Sequence, residues 1–528
     1  MGKLYLLIFL SEFFNLDVNG QVWVRTYGNG LNANVYDVTE SYDRGFIFAA
    51  QINYGAYLWI FKTDINGEIL WDKRIGTGQE SSFFSPMNIE QTTDNGYIIC
   101  GSSTKYGSYD AYLIKINSCA EIEWCKVLET PTNFDEGFRI KQTQDGDFIM
   151  LGAYFVTEPY SNISLFKFNR SGSLIWHQFY PIENMDYNDQ PYDLLADDDG
   201  YIIVTDRYFP DPGTTSPGIL RHHFIKTDTA GIQNWELVYG ANDYYYGSPW
   251  AANKSTSGNY YAAGNHFYSN GTGSPAFVKV LHNGSQSYYK DIMPNATWGG
   301  LSSIDFLQDS LLVMVGGWYS DINTKHDAFF KTDTLGNLRT LKEIEWTTNS
   351  YEAAYKTIDD KFIAVGNDAS SATWKIVAVK VNSNLDYDSI YTQPFTYDSL
   401  CPHSIVSDTI DPDCENEYVD IEEPFTSPET TKLSVFPNPA SDKVTIEMPK
   451  YLVLNNTTSK IPSTTIYHQW KSVKLEIYDI TGKKVMEREI NKSDTILDLD
   501  VSEWGKGMYA FRLVYQKQEV GNAMVVVQ

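Results

Sequence analysis

The sequence of 528 residues predicts an all-β protein, and three observations support that class. A short apolar strand recurs seven times between residues 21 and 394. Turn-forming Asp, Asn and Gly separate the strands of this region, and the chain holds 37 glycines and 20 prolines. Polar and apolar residues alternate through the last hundred positions, as in strands that bury one face. An aromatic content of 15% excludes a disordered chain.

The first twenty residues have the composition of a secretory signal peptide. Lys3 precedes an apolar run from Leu4 to Leu10, which is shorter than the ~20 residues that a membrane-spanning helix needs. We expect cleavage near Gly20, so that the mature chain begins at Gln21. No later segment could span a bilayer, and we therefore expect an exported protein without a transmembrane segment.

Residues 21–394 repeat with a period of 50 to 59 residues. Each copy offers about four short strands, which is the content of one β-propeller blade, so seven copies predict a seven-bladed β-propeller. Six or eight blades stay open, because residues 22–28 and 388–393 compete to complete the last blade. We favour the N-terminal segment, which would leave no open sheet edge. The recurring buried strand starts at Phe46, Tyr97, Phe148, Tyr201, Tyr260, Leu312 and Phe362.

A second strand of each copy carries a lysine at one register. Seven lysines at equivalent places indicate a scaffold role, and we expect each stem to lie on the sheet with its ammonium group at the rim. The lysines are Lys62, Lys115, Lys167, Lys226, Lys279, Lys331 and Lys380.

A tight turn with the pattern Asp-x-x-Gly-x-x-x-Trp follows that strand in the best copies. The glycine supplies the turn, and we expect the indole to pack between neighbouring blades. The pattern ends at Trp71, Trp176 and Trp235, and Trp124 holds the same place in the second copy. These turns resemble those of quinoprotein-type propellers. The resemblance covers the blade alone, since neither an adjacent Cys-Cys pair nor a quinone and calcium site can be placed.

Loops that lead into the innermost strands of a propeller meet at one mouth of its channel. About ten residues before the buried strand, most copies carry an aromatic or apolar residue, including Met87 and Tyr351. Aromatic faces beside Asn and Asp suit sugar rings, although one apolar residue per blade at a fixed offset is also typical of repeat core. The candidate ligand-binding residues at this mouth are Tyr36, Phe138, Tyr192, Tyr244, Tyr245, Tyr246 and Trp250.

Catalytic signatures are missing from the sequence. It contains no Gly-x-Ser-x-Gly, His-Glu-x-x-His or phosphate-loop motif, and strand alternation sends His222 and His223 to opposite faces. A net charge of −27 excludes nucleic acid as a partner. We therefore predict no catalytic residue, metal or cofactor, and expect the propeller to bind an extracellular glycan or protein. The alternative is a polysaccharide-active or quinoprotein-like enzyme, which would need carboxylates or histidines with perturbed pKa values in the channel.

Residues 395–431 contain ten acidic residues, four prolines and no Lys or Arg, which predicts an extended, solvated linker. Four of the five cysteines could form disulfides in an oxidising compartment. Cys401 and Cys414 could close a small loop in this linker, and Cys119 and Cys125 could bridge a hairpin turn. Their pairing stays open, and Cys100 lies in a buried strand.

The region 432–528 predicts a small antiparallel sandwich. It carries a Pro-Asn-Pro block, a Tyr-Asp-Ile-Thr-Gly-Lys turn and a Gly-Met-Tyr block, represented by Pro437, Asn438, Pro439, Gly482, Gly507 and Tyr509. Together, in this order, these blocks resemble the type A C-terminal sorting domain of the type IX secretion system of Gram-negative bacteria. The resemblance implies an Ig-like β-sandwich, engagement with the type IX machinery, and a secreted or cell-surface destination. An inserted segment at 451–470 and Ala523, where a Lys is common, depart from the family pattern.

Overall fold

A computed structural model shows two compact units, residues 1–420 and 421–528. The described part of the chain contains strands and turns but no α-helix. No helix in that part is therefore long and apolar enough to cross a membrane. The predicted signal peptide, residues 1–20, lies outside the described residues. The described residues are 22–79, 84–105, 109–130, 135–157, 160–180, 190–209, 219–239, 244–268, 270–321, 323–344, 350–370, 373–419, 431–447, 474–490, 496–515 and 518–528.

The first unit begins with β1 (Val24–Tyr27) and continues as antiparallel meanders of four strands. The first three meanders are β2 (Asn34–Glu40), β3 (Phe46–Ile52), β4 (Tyr57–Thr63) and β5 (Ile69–Ile75); β6 (Phe84–Gln91), β7 (Tyr97–Ser103), β8 (Asp110–Ile116) and β9 (Ile122–Glu129); β10 (Asp135–Gln142), β11 (Phe148–Thr157), β12 (Tyr160–Phe168) and β13 (Leu174–Tyr180).

Three further meanders and a three-stranded group follow. They are β14 (Pro191–Asp197), β15 (Gly200–Phe209), β16 (Ile219–Thr227) and β17 (Gln233–Tyr239); β18 (Tyr244–Lys254), β19 (Tyr260–Tyr268), β20 (Gly273–Val280) and β21 (Gln286–Asp291); β22 (Trp298–Gln308), β23 (Leu311–Tyr319), β24 (Lys325–Asp333) and β25 (Leu338–Glu343); β26 (Ser350–Lys356), β27 (Phe362–Asp368) and β28 (Lys375–Val381). One parallel bridge, Leu220 to Tyr246, links the fourth and fifth meanders.

The ring is closed by the N-terminal strand. β1 pairs antiparallel with β28, Val24 opposite Val379, and so supplies the fourth strand of the last meander, as the sequence predicts. Residues 388–393, the other candidate for this place, do not form the fourth strand. They only adjoin the start of the N-terminal segment, through a bridge between Val22 and Ser389. Each first strand contacts the first strand of the next meander, and β26 contacts β2, which completes a closed ring of blades. The predicted all-β propeller fold is confirmed.

Tryptophans hold neighbouring blades together, as predicted. A Cβ atom on Gly172 would lie 2.7 Å from the Trp124 ring, and one on Gly231 would lie 2.9 Å from the Trp176 ring. The Trp124 indole N–H also donates to the carbonyl of Arg170 at 3.1 Å. Each glycine has a positive φ and lacks a side chain, so the preceding blade's indole can rest directly on the turn.

Five of the seven lysines at the shared register are buried, so their predicted position at the rim is wrong, whereas Lys279 and Lys331 are partly exposed. Lys62 is fully buried and its Nζ lies 2.6 Å from a carboxylate oxygen of Asp43. Asp43 belongs to the hairpin turn before the lysine's partner strand, and Asp94, Asp145 and Asp199 pair equivalently with Lys115, Lys167 and Lys226. A buried ammonium needs such a partner, because leaving water unpaired is costly.

The first part of the acidic segment is docked on the propeller and does not behave as the predicted solvated linker. β29 (Asp408–Ile410) pairs parallel with β5, and β30 (Glu415–Tyr418) pairs parallel with β9. Residues 420–430 lie outside the described residues. We call residues 395–419 the strap.

The strap is joined to the second blade by two disulfides, Cys119–Cys401 and Cys125–Cys414, whose Cα atoms are 5.4 and 4.7 Å apart. The two local pairings considered from the sequence are therefore wrong. They were plausible because each joins neighbours in the chain, whereas the actual partners are brought together by the docking of the strap. Cys100 is a buried free cysteine.

The second unit consists of two sheets. One contains β31 (Thr431–Lys432), β34 (Lys474–Asp479), β35 (Lys484–Glu489), β37 (Gly507–Tyr515) and β38 (Gln518–Val527); the other contains β32 (Ser434–Phe436), β33 (Lys443–Glu447) and β36 (Ile496–Asp500). Alternate residues such as Val444, Ile446, Leu475 and Phe511 form its core. Ala523 is buried on β38, and the insertion at 451–470 lies outside the described residues.

Candidate ligand site in the propeller channel

The first strand of each blade contains a β-bulge at an equivalent position. The pairing register with the second strand skips one residue there, for example Tyr36 between Val35 and Asp37. Bulges re-aim side chains and recur beside functional sites. The residues at the bulges are Tyr36, Met87, Phe138, Tyr192, Trp250, Ser302 and Glu352. The aromatic series found in the sequence therefore marks a structural feature of the blade, and Tyr351 directly precedes its bulge.

The residues that follow the bulges divide the channel into two halves. In the first four blades they are Asp37, Asn88, Arg139 and Asp193, and in the last three they are Ala251, Ser303 and Ala353. The polar ones join neighbouring blades. The backbone N–H of Ile89 donates to Asp37 at 3.0 Å, that of Ile140 to Asn88 at 2.9 Å, and that of Ala252 to Asp193 at 2.8 Å.

A cavity of about 240 Å³ lies between these halves. Tyr36, Glu90, Arg139 and Lys141 line its charged side, together with Asp37 and Asp193. The other side is formed by small residues and by Tyr355. Sequence reasoning selected Tyr36 but missed the charged residues. A sequence pattern could have revealed these charged residues, because each lies one or three positions after a member of the aromatic or apolar series.

Burial raises the pKa values of carboxyl groups that line this cavity. It raises the pKa of the Glu90 carboxyl, against the opposing effect of Lys141, whose Nζ lies 3.5 Å from Glu90 Oε1. Burial also raises the pKa of Asp37, which lines the cavity, and of Asp305 on the sixth blade. Oε2 of Glu90 is buried and accepts no hydrogen bond within the described residues. Carboxyls with raised pKa values therefore do meet in the channel, which is the condition set for the enzymatic alternative.

A second group of side chains stands beside Tyr36. Burial raises the pKa of the half-buried Glu136 carboxyl to about 7. Burial also raises the pKa of Tyr109 to about 12, and Glu136 and Tyr36 add to that rise electrostatically. Tyr36, Tyr109 and Glu136, from the first three blades, are therefore linked electrostatically. Glu136 precedes the bulge of its strand by two residues, a position that the sequence analysis did not consider.

The other candidate aromatics have different surroundings. Phe138 is only 5% exposed and belongs to the core, whereas the hydroxyl of Tyr192 donates to Asp206 at 2.9 Å. Trp250 lies over Gly300 of the next blade, so closely that a Cβ atom on this glycine would overlap the ring. Tyr244, Tyr245 and Tyr246 belong to β18, but their side chains lie outside the description. A binding role for any of these residues stays a prediction.

The seam between the fourth and fifth blades contains buried polar residues. Ser248 donates to Asp206 at 2.8 Å, and Nδ1 of His266 lies 2.8 Å from Asp291. Burial lowers the pKa of His222, whose ring meets that of His266 at 5.1 Å. His223 instead approaches Glu236, so the two adjacent histidines do point apart. Among the described residues, no group of three or more His, Cys, Asp or Glu is arranged to hold a metal ion.

The three sequence blocks of the second unit perform local structural tasks. Asn438 donates to the carbonyl of Met524 at 2.7 Å and accepts the N–H of Val526 at 2.9 Å, which fastens the Pro-Asn-Pro block to β38. Gly482 has a φ of +81° in the turn between β34 and β35. The Tyr509 hydroxyl donates to the carbonyl of Gly505 at 2.7 Å.

Comparison with known families identifies this unit. Residues 434–527 match the family described as the secretion system C-terminal sorting domain. These residues are a type IX sorting domain. The sorting domain marks the protein for export through the type IX system to the cell surface or the extracellular space. The predicted resemblance and destination are confirmed.

Comparisons of the whole chain are less informative. No curated protein matches it. Among the solved structures similar to it, polysaccharide lyase Uly1 is 8% identical; the match covers 70% of this chain and 94% of that chain, with a TM-score of 0.43. Drosophila Plexin A in complex with Semaphorin 1b is also 8% identical, with 68% of this chain and 87% of that chain covered and a TM-score of 0.40. The WD40 domain of SCAP from fission yeast is 8% identical, with 71% of this chain and 92% of that chain covered and a TM-score of 0.36. Likenesses this weak carry no argument about a ligand or an activity.

Proposed function

We propose that the exported propeller binds a glycan outside the cell, with one sugar residue held in the channel cavity. The observation that carries this proposal is the two-sided lining of the cavity. Charged side chains and Tyr36 form one wall, and alanine and serine of the last three blades leave room opposite them. A volume of about 240 Å³ is below the ~300–1,000 Å³ of sites for drug-sized ligands and suits a single sugar ring.

The chemistry of the lining agrees with a sugar. Carboxylate, guanidinium and amide groups can exchange hydrogen bonds with several hydroxyls, and their charge strengthens those bonds. Tyr36 and Tyr355 offer aromatic faces to C–H groups. Asp37, Glu90 and Asp193 outnumber Arg139 and Lys141, so an uncharged sugar is favoured over a uronate or a sulfated unit.

The test is thermal unfolding of the full chain with a panel of neutral, amino and acidic saccharides. A ligand at a hundred times its Kd should add ~2.7 kcal/mol to the free energy of unfolding. We expect stabilisation by a neutral saccharide, loss of that effect in Tyr36→Ala and in Ser303→Leu, and retention in Tyr54→Ala. Tyr54 is 65% exposed and is not among the cavity-lining residues, so it is a matched control. A flat response across the panel would contradict the proposal and favour a protein partner.

A second candidate function, cleavage of a bound glycan, is supported by Glu90. Glu90 lines the cavity beside Lys141, and burial raises the pKa of its carboxyl, which moves it towards the range of a general acid. Release of reducing ends from a saccharide that binds would support this function. Glu90→Gln should then abolish turnover and preserve binding. Binding without any product would leave the glycan-binding function alone.

A further inference from the structure

The strap is attached to the propeller mainly by backbone pairing and ion pairs, and Ile405 and Cys414 also pack against the core of the first two blades. Its backbone forms two short parallel pairings, three residues of β29 and four of β30, at the outer edges of the first two blades. Its acidic side chains meet lysines of those blades. Lys73 lies 2.7 Å from Asp408, Lys105 lies 2.5 Å from Asp411, and Lys126 lies 2.5 Å from Glu415.

In the part of the strap that follows Cys401, each of these non-covalent contacts is weak. Pairings of three or four residues are marginal, and parallel pairing is slightly weaker than antiparallel. The acids of the ion pairs are exposed to solvent by 46%, 55% and 77% of their side-chain surface, and ion pairs of that kind contribute little. The buried pair of the strap, Lys62 with Asp398, lies before Cys401 and holds only its beginning.

The contacts that close the ring lie outside residues 402–419. β1 closes the last blade through four paired residues, and the indoles of the outer strands dock on the neighbouring turns. Both strap cysteines are joined to the second blade, Cys401 at its hairpin turn and Cys414 on β9, so the two disulfides span most of the segment that the weak contacts hold.

We propose that the strap is an oxidation-dependent clasp: residues 402–419 dock on the first two blades when both disulfides form and are released when both are reduced, while the propeller stays folded. Formation of each disulfide converts two thiols to one S–S bond and passes two electrons to a disulfide oxidant such as oxidised glutathione, which takes up the two protons as two thiols. A dithiol such as dithiothreitol reverses the step.

The clasp determines the length of chain before the sorting domain. In the oxidised protein, eleven residues separate residue 419 from β31. Release extends this connection back to residue 402, to twenty-nine residues.

Amide hydrogen exchange of the full chain, read by mass spectrometry before and after treatment with dithiothreitol, tests the clasp. We expect amides at 408–410 and 415–418 to exchange at least tenfold faster after reduction. Peptides from β27 and β28 should be unchanged. A variant with all four cysteines replaced, C119S/C125S/C401S/C414S, should match the reduced protein and no longer respond to dithiothreitol.

Two results would overturn the proposal. Unchanged protection of 408–418 after complete reduction would mean that pairing and ion pairs hold the strap without the disulfides. Loss of protection in β27 and β28 as well would mean that the disulfides hold the ring, not a clasp. If the fourfold variant does not fold, reduction of the folded parent protein still decides between these results, because it starts from the native state.

Discussion

The indole of Trp124 rests on Gly172, so that a Cβ atom at position 172 would lie 2.7 Å from the ring. The first residue belongs to the outer strand of the second blade and the second to a turn of the third. The same relationship joins Trp176 to Gly231 in the next pair of blades. Direct contact between an aromatic ring and the backbone of a turn therefore joins each of these blades to the next.

Replacement of Gly172 should disturb this contact. Gly172→Ala places a methyl group against Trp124 and forces alanine into a φ of +81°. We expect a loss of about 2–4 kcal/mol in the free energy of unfolding, measured by denaturant titration, because steric overlap adds to the backbone cost.

Gly30→Ala is the matched control for that variant. Gly30 has a φ of +79°, and a Cβ atom added to it would meet no other atom within 4 Å, so alanine there tests the backbone cost by itself. It should lose about 1 kcal/mol. Equal losses in the two variants would show that the indole contact contributes nothing.

Removal of the Lys62 charge should be strongly destabilising. Lys62 is fully buried between Asp43 and Asp398, and Lys62→Met leaves two carboxylates without their cation. We expect a loss of about 3–5 kcal/mol, measured by denaturant titration at pH 7.

Lys279 occupies the same register in the fifth blade and serves as the comparison. Its Nζ faces the ring of Tyr261 at 5.4 Å. Lys279→Met should therefore cost less than about 1 kcal/mol, since methionine keeps the aromatic contact. A loss as large as that of Lys62→Met would argue against the carboxylate pairing as the cause.

Glu136 should make stability depend on pH. Its folded-state pKa of about 7 lies above the ~4.3 of an unfolded glutamate, so the folded protein holds the proton more tightly. The cost of its buried charge is absent below pH ~4, grows between pH 4 and 7, and is complete above pH 7. Glu136→Gln should therefore gain about 1–2 kcal/mol at pH 8, after allowance for partial exposure, and nothing at pH 4.5.

Thermal unfolding of parent and variant across this pH range measures the effect. Asp309→Asn is the control, because Asp309 is an exposed carboxylate in the turn between β22 and β23. The difference between Glu136→Gln and the parent is compared with that of this variant at each pH. A constant difference for Glu136→Gln would show that this carboxyl keeps an ordinary pKa.

Asn438 should govern the attachment of the last strand in the sorting domain. Asn438→Ala removes one bond to Met524 and one from Val526, at a cost of about 1–2 kcal/mol. Asn438→Asp keeps the acceptor for Val526 and should lose less. Hydrogen exchange of residues 518–527 measures both variants, with the exposed Glu503→Ala as control; equal exchange in all three would exclude this role.

Local patterns explain why some features could be read from the sequence. The repeat, its turns and its tryptophans each depend on residues close together in the chain, and each recurs often enough to be recognised. The aromatic series also recurs, and it marks the bulges. The series could not show that Tyr36 lines a cavity while Phe138 is buried, because that difference depends on the neighbouring blades.

The sequence by itself determined the all-β class, the blade repeat, closure of the ring by the N-terminal strand and the sorting domain, since strand alternation and turn chemistry act over a few residues. Only the tertiary structure decided which groups meet across hundreds of residues. Cys119 joins Cys401, and Lys62 is paired with Asp398, because the strap folds back onto the first two blades. The charged half of the channel likewise exists only once the first strands of separate blades surround one axis. Contacts of this kind follow from packing in three dimensions, which no spacing along the chain specifies.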